Sequence, residues 1–339
     1  MPETARRIVL ASRPVGDPKP SDFRLEEFSV PEPGPGQVLL KTKWLSLDPY
    51  MRGRMSDAPS YAKPVGIDEV MEAGTVSEVV ASNNGKYQKG DIVLGRAGWQ
   101  THMVSNGAGL MKLDPKLAPV QTALGVLGMP GMTAYTGLAE IGKPQAGETV
   151  VVSAASGAVG SIVGQIAKIK GARAVGIAGG TEKCKYVKDA LGFDDCVDHR
   201  ASDLANRLKG ACPKGIDVYF ENVSGPVWDA VFPLLNPFAR IPVCGLISQY
   251  SATDAPEMKY KTSQIFRAIL TKRLTIRGFI VSDFWGRFDD FIREVPQWIK
   301  EGRIKYREDI AEGLENAPAA FMGMLKGKNF GKQLVRVAE

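Results

Sequence analysis

Residues 150–161 constrain this chain more than any other stretch. Val150, Val151 and Val152 form an apolar strand that runs into Ala155-x-Gly157-x-x-Gly160, and an apolar helix pattern follows from Ala158 to Lys170. A strand, a glycine turn and a helix in that order form the dinucleotide-binding fingerprint, here with Ala155 in the first glycine position. The chain must turn sharply there and bring its backbone against a pyrophosphate. Gly157 permits that approach, and Gly160 lets the helix lie close to the strand. The helix N-terminus adds free N–H groups and the positive end of its dipole. A glycine motif alone is weak, but this one opens a regular alternation. Strands are expected over 149–153, 174–178, 194–198, 216–221, 238–244 and 274–281, with helices over 158–170, 181–191, 202–209, 226–235 and 284–301. That alternation predicts a doubly wound, parallel α/β sheet.

The first hundred or so residues follow another rule. Short segments rich in Val, Leu and Thr, at 6–11, 23–30, 37–47, 74–81 and 91–94, are separated by turn clusters such as Pro31–Gly36. They predict a β-rich barrel or sandwich. With 339 residues, two domains are expected: 1–125 joined by 305–339, and 126–304.

The second strand of the parallel sheet speaks to the type of dinucleotide. NAD binders carry Asp or Glu there, roughly 20 residues past the glycine turn, for the ribose 2′-hydroxyl. Here the strand ends in Gly179-Gly180-Thr181, with Lys183 beyond. Two glycines and a lysine can receive a 2′-phosphate, whereas a carboxylate would repel it. NADPH is therefore expected over NADH, with Glu182 turned away along the helix start.

A catalytic zinc needs about three protein ligands and a structural one four. The chain has two histidines, His102 and His199, and four isolated cysteines, Cys184, Cys196, Cys212 and Cys244, none in the first half of the chain. No metal site is expected, so a substrate carbonyl must be polarised by hydrogen-bond donors. The cysteines read as free thiols of a reducing compartment. With no apolar signal core at the N-terminus and no apolar run of membrane-spanning length, a cytoplasmic protein is expected. The net charge of +6 is dispersed among acids and has no aromatic–basic motif behind it, which argues against a nucleic-acid binder.

A β-rich first domain, a later Rossmann domain and no zinc together resemble the medium-chain dehydrogenase/reductase superfamily. Several strings are similar to its prostaglandin reductase and alkenal reductase branch, and to bacterial curcumin reductases in particular. These are Leu47-Asp48-Pro49-Tyr50-Met51-Arg52, Met129–Tyr135, Ala154–Gly160, Glu221-Asn222-Val223, Cys244-Gly245-x-Ile247-Ser248-x-Tyr250 and Glu315–Asn329. The resemblance covers essentially the whole chain. It implies a GroES-like barrel for the first domain and hydride transfer from NADPH to the β-carbon of an enone or enal, without zinc. It implies cofactor contacts from Ala155, Gly157, Ala158, Val159, Gly160, Gly179, Gly180 and Lys183, and from Asn222, Cys244, Gly245, Ile247, Tyr250, Phe279, Val281 and Asn329. A tyrosine that helps with the 2′-phosphate in the family is replaced by the string Asp198-His199-Arg200, so His199 or Arg200 is expected to substitute. Tyr50 and Tyr250 match tyrosines of the substrate cleft, with Tyr250 the first candidate for enolate stabilisation and Tyr50 the second. Arg52 and Met132 are candidates for shaping the pocket, with a structural role the favoured reading for each. A homodimer is implied, with 274–281 as a pairing edge. An NADPH-dependent quinone oxidoreductase of the same superfamily is the alternative.

Overall fold

The computed structural model describes residues 4–254 and 259–338. Up to residue 125 the chain alternates β-forming segments with tight turns. β1 (Thr4–Leu10) and β2 (Phe23–Ser29) pair antiparallel. β3 (Val38–Ser46), the short helix α1 (Met51–Arg54), β4 (Thr75–Ser82), β5 (Ile92–Gly95), β6 (His102–Ser105) and β7 (Met111–Leu113) follow. β6 and β7 have four and three residues, too few to show a period-2 pattern in the sequence.

From residue 126 the elements alternate. They are α2 (Met129–Thr136), β8 (Thr149–Ser153), α3 (Gly160–Ile169), β9 (Arg173–Ala178), α4 (Thr181–Asp189), β10 (Asp195–Asp198), α5 (Leu204–Ala211), β11 (Ile216–Phe220), α6 (Pro226–Val231), β12 (Leu235–Val243), α7 (Thr262–Lys272), β13 (Thr275–Gly278) and α8 (Phe288–Lys300). The sheet order is β10-β9-β8-β11-β12-β13, every pair parallel, which is the doubly wound arrangement. α2 escaped the sequence pattern because seven of its eight residues are buried, leaving no polar face to set a helical period. The helix expected over 284–301 begins instead at Phe288; a 3₁₀ segment with Phe284 off the helical region precedes it.

The chain then returns. β14 (Glu308–Glu312), α9 (Ala317–Leu325) and β15 (Lys332–Arg336) close a seven-stranded sheet in the order β14-β15-β3-β4-β5-β7, with β6 on β3. Two compact units result, 1–125 with 308–339 and 126–307. The first has a core around Trp99, stacked 5.6 Å from Phe23 and met edge-on by Phe321 at 5.7 Å. In the second, apolar layers cover both faces of the parallel sheet, one around Val150, Val152 and Phe220 and the other around Val151, Ile177 and Tyr219. Among the described residues no helix is long and apolar enough to cross a membrane.

Candidate functional site

Strands of a parallel sheet all end at one edge, and most of the residues singled out in the 126–307 unit lie along that edge. After β8 the backbone reverses at Ala154, which holds φ +52°. Ala155 N–H bonds Ile177 O at 3.0 Å, Gly157 N–H bonds Ala154 O at 2.9 Å, and Ser161 N–H bonds Gly157 O at 3.1 Å. A β-carbon on Gly160 would stand 2.4 Å from Ala154 O, a clash with backbone, so only glycine fits. On Gly157 it would stand 3.2 Å from the same oxygen. Gly157, Ala158 and Val159 remain partly exposed at the start of α3.

The ends of β9 and β10 meet next to this turn. Gly180 takes φ +92° at the cap of α4, and Asp198 Oδ1 accepts both Gly180 N–H and Arg200 N–H at 2.9 Å. A β-carbon on Gly179 would lie 2.8 Å from His199 Nε2, and one on Gly180 would lie 3.4 Å from an Arg200 guanidinium nitrogen. The glycine backbone is therefore walled by an imidazole and a guanidinium, with Lys183 on the first turn of α4. Burial depresses the pKa of His199 most, and the charges of Arg200 and Lys183 lower it further against Asp198. A cradle of glycines ringed by three cationic or cation-forming groups has the donor chemistry of a phosphate site. The Asp198 carboxylate is committed to two backbone N–H groups of this loop.

A buried carboxylate that sequence reasoning passed over organises the next loops. Glu221 follows β11 and accepts on Oε1 from Tyr219 hydroxyl at 2.8 Å, Ser153 hydroxyl at 3.1 Å, Val223 N–H at 2.7 Å and Ser224 N–H at 2.9 Å. Burial raises its pKa, while those bonds oppose the rise. Asn222 is tied to the end of β8 through Nδ2 to Ser153 O and N–H to Ser153 Oγ, both 2.8 Å. Cys244 N–H and Gly245 N–H both bond Glu221 O, and Ile247 N–H bonds Asn222 O. The Cys244 thiol is pushed up to about 12 by burial and the charge of Glu221, so it stays neutral. Tyr250 folds back over this loop. Its hydroxyl accepts Leu246 N–H at 3.3 Å, and a β-carbon on Gly245 would come within 3.1 Å of it. Phe279 and Val281 follow β13; Phe279 packs edge-on to Phe220 at 6.2 Å. Met132 is buried in the core of this unit.

In the other unit Tyr50 caps α1 and is half-buried. Burial raises its phenol well above the ordinary range, with Asp48 and Glu72 adding to the rise. Arg54 ion-pairs Glu72 at 2.9 Å and lies 5.5 Å from the Tyr50 ring. Arg52 is likewise buried. Its guanidinium donates to Gly16 O and Pro14 O, so it clamps the N-terminal loop. Asn329 donates through Nδ2 to Gly331 O at 2.8 Å. Another feature the sequence hid is the buried ion pair between Lys332 Nζ and Asp48 Oδ1 at 2.7 Å; Nζ also reaches Leu47 O at 2.7 Å. It pins β15 to the loop that ends in Tyr50.

A doubly wound sheet with a glycine turn after its first strand, and a basic glycine cradle after its second, defines a dinucleotide-binding protein of the NADP type. Known proteins narrow this. Residues 6–113 match the family described as the N-terminal domain of oxidoreductase, and residues 158–297 match the family described as zinc-binding dehydrogenase. The NADPH-dependent curcumin reductase of Escherichia coli (strain K12) is 58% identical, covering 98% of this chain and 97% of that protein. The 2-alkenal reductase (NADP(+)-dependent) of Nicotiana tabacum is 41% identical over 98% of this chain and 97% of its own. The crystal structure of CurA from Vibrio vulnificus in complex with NADPH superposes with a TM-score of 0.96 at 54% identity, covering 98% of this chain and 99% of that one. The chain belongs to the medium-chain dehydrogenase/reductase superfamily, in the branch of the curcumin, alkenal and prostaglandin reductases. Among the described residues, no group of three or more His, Cys, Asp or Glu is arranged to hold a metal ion.

Proposed function

We propose that this protein reduces the carbon–carbon double bond of α,β-unsaturated ketones and aldehydes with NADPH. The observation that carries the reading is kinship to a named NADPH-dependent curcumin reductase through 98% of the chain, both units included. The cradle at Gly179–Gly180, with Arg200, His199 and Lys183, supports the choice of the phosphorylated cofactor.

We assign residues 126–304 to cofactor binding and 1–125 with 305–339 to substrate binding. Ala155 and Gly157–Gly160 receive the pyrophosphate at the start of α3. Gly179, Gly180, Lys183, His199 and Arg200 hold the 2′-phosphate. Asn222, Cys244, Gly245, Ile247, Phe279 and Val281 complete the cofactor contacts, and the family resemblance adds Asn329. Bound NADPH supplies a hydride for the β-carbon, and negative charge then gathers on the carbonyl oxygen. The Tyr250 hydroxyl, oriented by Leu246 N–H, donates to that oxygen. A donor aimed where charge develops stabilises the transition state more than the ground state. Tyr50 is the second donor; its raised pKa keeps the phenol in the protonated form that donates.

The protein works as a homodimer in the cytoplasm. Among the described residues β13 is the outer strand of the parallel sheet and all four of its residues are exposed. Phe266 and Leu270 on α7, 65% and 77% exposed, supply apolar surface nearby for a second copy. Four free thiols suit a reducing compartment. The test is NADPH oxidation measured over a panel of enones, enals, quinones and saturated aldehydes. Turnover concentrated on enones and enals is expected. Faster turnover on quinones would replace this reading with quinone reduction.

A further inference from the structure

Two of the four cysteines stand together and outside every role assigned above. Cys184 lies on α4, next to Lys183, and Cys196 lies on β10, two residues before Asp198. β10 is an outer strand of the parallel sheet, and Cys196 is half-buried there, within reach of a small oxidant. Cys196 is in register with Gly176 of β9. A β-carbon on Gly176 would stand 3.1 Å from Cys196 Sγ and 2.9 Å from a methyl of Val187 on α4. The Cys196 side chain therefore occupies the layer between sheet and helix, and Cys184, buried on α4 three residues before Val187, faces the same layer. We propose that Cys184 and Cys196 form a dithiol site which hydroperoxides oxidise to a disulfide, and that this disulfide weakens the hold on NADPH at the adjoining phosphate cradle.

The pair divides its labour. The hydrogen bond from Cys196 holds the Cys184 thiol below its ordinary range, whereas the same bond and burial push Cys196 up. Cys184 is assigned the attack, and the half-buried Cys196 side gives the peroxide its way in to the buried Cys184. Its sulfur attacks a peroxide oxygen: an S–O bond forms, the O–O bond breaks, and an alcohol or water leaves with a proton. Cys184 is now a sulfenic acid. Cys196 attacks that sulfur, the S–S bond forms, the S–O bond breaks, and water departs with the Cys196 proton. Two thiols lose two electrons and the hydroperoxide gains them.

The link to the cradle is mechanical. Bonded sulfurs lie about 2.05 Å apart, inside van der Waals contact, so a disulfide ties α4 to β10 and fixes their spacing. α4 carries Lys183 and is capped by Gly180. β10 runs into Asp198, whose carboxylate holds Gly180 N–H and Arg200 N–H at 2.9 Å. The two elements so tied are those that set the cations around the phosphate. This coupling rests on the cofactor reading above; the disulfide does not.

The full-length protein is exposed to hydrogen peroxide, its remaining thiols are blocked, and it is digested without reductant for mass spectrometry. In parallel, nicotinamide fluorescence gives Kd for NADPH and NADH. A peptide linking residues 184 and 196 is expected, with NADPH Kd raised about tenfold, NADH Kd within about twofold, and reversal by dithiothreitol. Cys196→Ser and Cys184→Ala should each bind NADPH as the parent does and lose the peroxide response. Absence of the linked peptide, an unchanged NADPH Kd once the link has formed, or an undiminished response in both variants overturns the proposal. A reduced protein that fails to bind NADPH would overturn the cofactor reading and the coupling with it, and the linked peptide would then judge the dithiol alone.

Discussion

Each unit of this protein hides one polar knot behind its candidate site, and the two are built on different physics. In the 126–307 unit the knot is Glu221, a carboxylate satisfied by two hydroxyls and two backbone N–H groups. In the other unit it is the Asp48–Lys332 ion pair, both side chains almost fully buried and joined across 284 residues of sequence. Burial pushes the Glu221 carboxyl up and the Lys332 ammonium down, each toward its neutral form. Asp48 answers that pressure for Lys332 with a countercharge. Only hydrogen bonds answer it for Glu221. A knot of dipoles tolerates loss of its charge, whereas an ion pair cannot lose one member without leaving the other stranded.

That difference sets the order of expected effects. Lys332→Met strands Asp48 and should lower unfolding stability by about 3–5 kcal/mol in urea titrations, with Asp48→Asn added to it recovering much of the loss. A drop below about 1 kcal/mol would place the pair among inert contacts. Arg200→Ala, which removes a surface charge from the cradle and touches neither knot, should raise NADPH Kd about tenfold or more and leave NADH unchanged, as loss of a charge-assisted bond requires. Equal changes for both cofactors would remove Arg200 from the phosphate site. Glu221→Gln keeps an acceptor oxygen in place and should cost about 1–2 kcal/mol, well under the Lys332 change. A larger cost would show that the charge itself holds the loops.

The smallest effect concerns His199, whose folded pKa is depressed. The unfolded chain binds the proton more readily, so stability is complete above the unfolded value of about 6.5 and falls as pH drops through the depressed folded value. His199→Gln should flatten that part of the stability–pH curve relative to the parent. An unchanged curve would mean that the imidazole is not desolvated.

The same contrast explains what could be read from the sequence. The glycine turn was legible because every requirement sits in one contiguous string: apolar strand, Gly157, Gly160, helix. Gly179–Gly180 was legible for the same reason, whereas His199–Arg200 came from the family resemblance, and folding sets both against those glycines. Glu221 lay in a recognised string, yet its role depends on donors from Ser153 and Tyr219 that only folding gathers. Lys332 reads as an ordinary strand lysine until Asp48 is brought to it. Arg52 and Met132 lie in family strings, yet what each side chain meets is set only by the fold. One is drawn to the carbonyls of Pro14 and Gly16, and the other into the core. α2 and α7 were missed for opposite reasons, one buried nearly all round and the other with no buried residue.

The central claim is that a hydride from NADPH arrives at the β-carbon of a conjugated carbonyl. It is tested most directly by turning over an enone with NADPH deuterated at the nicotinamide C4 and locating the label by NMR. The account predicts a saturated ketone carrying deuterium on its β-carbon. An allylic alcohol with deuterium on the carbinol carbon would contradict it.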